Sequence, residues 1–93
     1  RAIGILNMED EAGLDGKVLA VPIPRLLSLY DRWQKPDDLS PMRLKTIARF
    51  FEHYKDLEPG KWVKILGWGG PQEAHKEIVD GIANYRRKNN APA

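Results

Sequence analysis

The stretch Glu9-Asp10-Glu11-Ala12-Gly13-Leu14-Asp15-Gly16-Lys17 lies between two apolar runs, Ile3-Gly4-Ile5-Leu6 before it and Val18-Leu19-Ala20-Val21 after it. Two strand-like runs joined by a short Gly-containing loop predict a β-hairpin. With the loop placed at Glu11 to Leu14, Asp10 and Asp15 are expected to face each other directly across the strands. Opposed Cβ atoms lie about 5 Å apart, and like charges there destabilise a sheet. A divalent cation between the two carboxylates removes that repulsion. Strand alternation places Lys17 on the same face as Asp15 and turns Glu9 to the other face. Carboxylates suit hard cations such as Mg²⁺, and lysine is a common phosphate partner. The pattern therefore points to metal-assisted phosphate chemistry, with a solvated acidic turn as the plain alternative.

Outward from the hairpin, Arg1 to Glu9 and Lys17 to Val21 form its strands, and Pro22 and Pro24 end the second. Leu26, Leu29, Tyr30 and Trp33 have the spacing of a short helix or helical turns, and Gln34 to Leu39 reads as a polar loop. Ser40-Pro41 starts a helix, with Ser as cap and Pro in the first helical position. Leu44, Ile47, Ala48 and Phe51 follow at helical spacing, and the helix is expected to stop before Pro59-Gly60. Lys61 to Trp68 reads as a strand, with Val63 and Ile65 on one face and Trp62, Lys64, Leu66 and Trp68 on the other. Gly69-Gly70-Pro71 makes a turn into a second helix, whose Ala74, Ile78, Ile82 and Tyr85 form one stripe expected to be buried. Residues 89–93 are expected to be a disordered tail. These elements make an α+β chain. Few strands cannot close a sheet, so the first or last strand is expected to leave an unpaired apolar edge.

The chain of 93 residues suits one small domain with a marginal core. It contains no cysteine, so disulfides and thiolate metal sites are excluded, and a reducing cytoplasm is the expected compartment. No apolar run approaches the roughly 20 residues that span a bilayer, so no membrane partner is expected. The formal charge is +2 with acids and bases interspersed, which argues against a dedicated nucleic-acid surface. Arg86-Arg87-Lys88 reads as a solvated helix end.

A second segment bears on function: Phe50-Phe51-Glu52-His53-Tyr54-Lys55-Asp56-Leu57-Glu58-Pro59-Gly60-Lys61-Trp62-Val63-Lys64. Together with Met8 to Lys17, Ala20-Val21-Pro22 and Gly67-Trp68, it resembles the soluble (family I) inorganic pyrophosphatases along almost the whole chain. The family's upstream Asp-x-Asp-x-x-Asp cluster has no match here, so the chain resembles the C-terminal half of such an enzyme. The resemblance implies part of a twisted OB-like β-barrel with two packed helices, the N-terminal strands lying outside this chain. Residues 1–88 are then part of one pyrophosphatase domain.

The activity implied is Mg²⁺-dependent hydrolysis of inorganic pyrophosphate to two phosphates by a metal-activated water, with only part of the site on this chain. The resemblance assigns metal binding to Asp10 and Asp15. It assigns catalytic phosphate contacts to Lys17, Tyr54 and Lys55, each of which can donate to phosphate oxygens. Glu11 reads as a solvated glutamate or one acting behind the ligands. His53 is not needed as a base and is implied to be an assembly residue. A histidine common in bacterial members four positions earlier is replaced by Arg49, which departs from the usual form of that contact. Phe50 and Phe51 are neighbours and cannot both face one core. Trp62 and Trp68 read as core or interface aromatics, and His75 as surface. Bacterial relatives imply a homo-oligomer, a hexamer. One rival reading is a non-catalytic OB-like binding module, which needs a basic groove with exposed aromatics; another is an assembly fragment that keeps the fold's assembly surface without activity.

Overall fold

The computed structural model describes residues 1–23, 25–26 and 28–90. Strand β1 (Ala2–Asp10) and strand β2 (Gly13–Ala20) form the hairpin, and short 3-10 turns follow at Ser28–Tyr30 and Pro36–Asp38. Helix α1 (Pro41–His53), strand β3 (Val63–Gly69) and helix α2 (Pro71–Asn90) follow among the described residues. All pairing is antiparallel, and the order β2-β1-β3 puts the first strand in the centre of an open three-stranded sheet. Of the two strands expected to offer an edge, the first or the last, it is the last that does: β3 is one edge and β2 the other.

That central place explains the apolar run in β1. Ile3, Leu6 and Met8 are each 1% exposed and Ile5 is buried with them, because β1 is flanked by a strand on each side, α2 packs on one face and Ile3 clusters with Val21 and Leu39. Burying one such side chain contributes about 1.5–3 kcal/mol. β2, at an edge, has no fully buried residue.

The hairpin loop is two residues, Glu11-Ala12, rather than the four expected. Asp10 Oδ1 accepts a hydrogen bond from the Ala12 N–H at 2.9 Å, closing an Asx turn that draws the chain round early. Gly13 then takes a φ of 120°, which a side chain rarely tolerates. Asp10 consequently pairs with Gly13, and Asp15 with Met8, so the two aspartates are not directly opposed. Shortening the loop by two residues preserves parity. Asp10, Asp15 and Lys17 still share one face, and Glu9 the other.

A bulge alters β3. Asn7 pairs with Gly67 but Met8 with Ile65, leaving Leu66 as the extra residue beside a glycine at φ 141°. Trp68 pairs with Leu6 and therefore joins Val63 and Ile65, contrary to the expected grouping with Trp62 and Lys64.

Ser40 caps α1: its hydroxyl accepts from the Arg43 N–H at 3.2 Å, with Pro41 in the first turn. Leu44 and Ile47 pack with Leu19, Tyr30 and Trp33 around Ile3, Val21 and Leu39. This places α1 on the sheet face of Asp10, Asp15 and Lys17. α2 lies on the opposite face, where Asn7 donates to Glu73 at 3.3 Å. A Cβ on Gly16 would meet the Ile5 side chain, so the glycine leaves room for Ile5 on the face that α2 covers. Of the stripe expected to be buried on α2, only Ala74 is; Ile78, Ile82 and Tyr85 are 40%, 47% and 71% exposed. The apolar face exists, but within this chain the sheet is too narrow to cover it. α2 continues to Asn90, through the first two residues of the expected tail, and 91–93 lie outside the described residues, as does Pro24. No helix among the described residues is long and apolar enough to cross a membrane.

Candidate active site

The face of the sheet that meets α1 carries three rows across its strands: Lys17–Leu6–Trp68, Asp15–Met8–Ile65 and Gly13–Asp10–Val63. The buried Leu6 and Met8 make a rigid floor, and the charged groups rise from its β2 and hairpin sides.

Asp10 closes β1 and is 9% exposed. Its Oδ2 accepts from Lys55 Nζ at 2.9 Å, and its Oδ1 from the Ala12 N–H. Lys55 arrives here because α1 ends at His53, with Tyr54 as its C-cap, and tight turns follow. The Asp56 N–H donates to the His53 carbonyl and the Glu58 N–H to the Lys55 carbonyl. Glu11 Oε1 accepts from the same ammonium at 3.3 Å, and its Oε2 accepts from the Trp62 N–H at 3.4 Å. The hairpin tip, the loop after α1 and the approach to β3 are thus tied together by one lysine and one glutamate.

The electrostatics follow from these bonds. The Lys55 ammonium, then the Ala12 N–H, holds the Asp10 carboxyl below its ordinary 3.8, against the opposing effect of burial. Glu11 is also lowered, first by its own backbone N–H and further by Lys55 and the Trp62 N–H. Asp10, and secondarily Glu11, push Lys55 above its ordinary range.

The second pair is Lys17 with Asp15, Nζ to Oδ2 at 3.1 Å. Lys17 Nζ also lies 5.8 Å from the centre of the Phe51 ring, and Lys55 Nζ lies 5.5 Å from that of Tyr54, within cation–π range. Phe51 and Tyr54 meet edge to face at 5.6 Å. A continuous path therefore runs Asp15–Lys17–Phe51–Tyr54–Lys55–Asp10. All five sequence-derived site residues lie along it.

Donor chemistry tests whether a divalent cation fits. Asp10 and Asp15 offer carboxylate oxygens on one face, the ligand type of Mg²⁺. No cluster of three or more His, Asp or Glu that could hold a metal is found among the described residues. Two carboxylates suffice for Mg²⁺, which keeps several waters and recruits phosphate oxygens. The residues fit a partial shell.

Glu11 bridges Lys55 and the Trp62 backbone, a place behind the candidate ligands that the sequence reading allowed it. One feature of this face escaped that reading. Phe51 underlies Lys17, a contact that only the packing of α1 creates. His53 instead points to Asp56, Nδ1 to Oδ2 at 2.9 Å, in an exposed pair. Phe50 is 63% exposed whereas Phe51 is half-buried, so the two neighbouring phenylalanines do take different faces.

A family model described as inorganic pyrophosphatase matches residues 1–86. The inorganic pyrophosphatase of Bradyrhizobium diazoefficiens is 56% identical over 88 residues, which cover 95% of this chain and 49% of that protein. That of Ralstonia nicotianae is 52% identical, covering 94% of this chain and 50% of the relative. Among solved structures, the Helicobacter pylori inorganic pyrophosphatase superposes with a TM-score of 0.87 at 44% identity, over 92% of this chain and 51% of that one. The Thermus thermophilus enzyme gives 0.77 at 39% identity, over 92% and 49%. The chain spans about half the length of the relatives it matches.

Proposed function

This chain belongs to the inorganic pyrophosphatase family, and we propose that it supplies one half of a site that hydrolyses inorganic diphosphate to two phosphates with Mg²⁺. The observation that carries this reading is the alternation of Asp10, Lys55, Lys17 and Asp15 on one rigid face. Diphosphate is strongly anionic, and a divalent cation supplies charge neutralisation and an acidified water for attack on phosphorus. Asp10 and Asp15 hold that cation from two adjacent strands. Lys17, Lys55 and the Tyr54 hydroxyl hold phosphate oxygens, placing phosphorus over the aspartate side of the face. The buried floor fixes their spacing. We attribute further carboxylates and cations, and the strands that would close an OB-like barrel, to the half of the relatives' length that this chain does not span. Residues 1–88 count as part of that single domain.

His53 and Asp56 form an exposed pair at the end of α1, and Phe50 on the same helix is largely exposed while stacking on Tyr54. This supports a homo-oligomer, hexameric as the resemblance implies, with α1 at the contact. Sedimentation of the His53→Gln protein beside the parent should show weakened assembly; an unchanged state removes His53 from the contact. A cytoplasmic site of action, with neither nucleic acid nor membrane as partner, completes the proposal and is supported by the cysteine-free sequence and its near-neutral charge balance. The acidic hairpin tip disfavours the nucleic-acid-binding alternative.

The test is phosphate release from diphosphate with Mg²⁺. The 93-residue chain alone should show no turnover, and mixing it with the unmatched half of the Bradyrhizobium relative should produce it. Turnover by the chain alone contradicts the half-site. If a stable complex of the two halves forms and is silent, the activity itself is refuted.

A further inference from the structure

Both oxygens of Asp10 are engaged, one by the Ala12 N–H at 2.9 Å and the other by Lys55 Nζ at 2.9 Å. A cation that ligates Asp10 must therefore replace a donor or share an oxygen with it. The Ala12 bond closes the hairpin turn, so losing it reopens the loop. The Lys55 bond is made by the end of a flexible stem, whose ammonium can turn among several acceptors. Sharing Oδ2 is disfavoured, because an ammonium and a dication on one carboxylate oxygen repel each other; sharing Oδ1 with the neutral Ala12 N–H still sets the dication across one carboxylate from the ammonium, where the same repulsion acts. Lys55 is the donor that yields. It does not leave the site, since Glu11 accepts from the same ammonium at 3.3 Å and is itself fixed by the Trp62 N–H.

We propose that Lys55 and a divalent cation compete for Asp10, and that the displaced ammonium, kept in place by Glu11, turns to phosphate. This rests on the metal and phosphate roles given above, and it adds a coupling between them. Metal binding frees the phosphate-binding ammonium, and phosphate, by drawing the ammonium away, frees the carboxylate. Linkage requires the two effects to be equal. Glu11 is then a positioning residue, acting through Lys55.

The test is Mn²⁺ affinity, followed by the electron-spin resonance of the free ion, with and without inorganic phosphate. Lys55→Met should bind Mn²⁺ about fivefold or more tightly than the parent when phosphate is left out. Lys61→Met removes the same charge from an exposed pair with Glu58 and should change affinity less than about twofold. Phosphate should tighten Mn²⁺ binding in the parent and do so less in Lys55→Met. Should Lys55→Met fail to fold, Mg²⁺ titration of the parent decides: the Lys55 Cε and Asp10 Cγ resonances should move together. Mn²⁺ binding of equal strength in parent and Lys55→Met, or a Lys55 resonance indifferent to Mg²⁺, overturns the exchange alone. No Mn²⁺ binding at millimolar concentration overturns the metal role as well.

Discussion

Helices α1 and α2 both announce themselves by apolar residues at helical spacing, yet they dock differently. α1 brings Leu44 and Ile47 against the core, and the loop beyond it fastens Lys55 to Asp10. α2 buries Ala74 beside the sheet and then leaves Ile78, Ile82 and Tyr85 bordering an open groove of about 660 Å³ with Val18. Periodicity specifies which face of a helix is apolar; it does not specify what lies opposite. The difference also separates two kinds of charge. On the α1 face Lys55 pairs with Asp10 and Glu11 across more than forty positions, beside the local Lys17–Asp15 pair, whereas Lys76–Asp80 on α2 is an exposed pair within one helix, at 2.7 Å.

The largest expected contrast is catalytic. In an active enzyme containing this chain, Asp15→Asn should lower turnover on the order of a hundredfold or more, because the shape survives but the charge that holds the cation is lost. Glu9→Gln, on the α2 face, should stay within about twofold. Equal losses in a steady-state assay would mean the two faces are misassigned.

Packing gives the next contrast. Ile47→Ala should cost about 2 kcal/mol, since Ile47 packs against the core cluster. Ile82→Ala, nearly half exposed, should cost less than about 1 kcal/mol. Urea midpoints of the two variants measure the difference, and a reversed order would move the core to the other helix.

The pairing of Asp10 with Lys55 adds a pH signature. Asp10 is lowered in the folded chain, so its stabilisation is present above its ordinary 3.8 and is lost as pH falls through the folded value. Lys55 is raised, so its contribution holds below its ordinary 10.5 and disappears as pH rises through the folded value. The stability difference between parent and Lys55→Met should stay level between those limits and shrink outside them. A difference that varies through neutral pH would point to another titrating group. The smallest effect belongs to α2: Asp80→Asn should change stability by less than about 0.5 kcal/mol, as exposed helix pairs do.

Much of the α1 side was legible in the sequence because its signals are local. Ser40-Pro41 marks a cap, and strand parity puts Asp10, Asp15 and Lys17 on one face whichever even loop length joins them. What was not legible depends on contacts between distant residues or on one backbone choice. The Asx bond from Ala12 to Asp10 shortened the loop and removed the direct aspartate opposition. The bulge at Leu66-Gly67 turned Trp68 to the other face. The Lys55–Asp10 pair joins residues 45 positions apart, which no spacing rule foretells. On the α2 side the stripe was read correctly as apolar, and its burial wrongly, because burial depends on neighbouring surface rather than on the helix.

The central claim is that the α1 face, and not the α2 face, holds the divalent cation. The α2 face offers its own acids, Glu73, Glu77 and Asp80, around a small recess with Asn7, so the molecule contains an internal comparison. Substoichiometric Mn²⁺ should broaden the NMR signals of Asp10 and Asp15 first, together with their neighbours Ala12 and Lys17, and leave Glu73 to Asp80 sharp. Broadening that centres on Glu73, Glu77 and Asp80 while sparing Asp10 and Asp15 would contradict it.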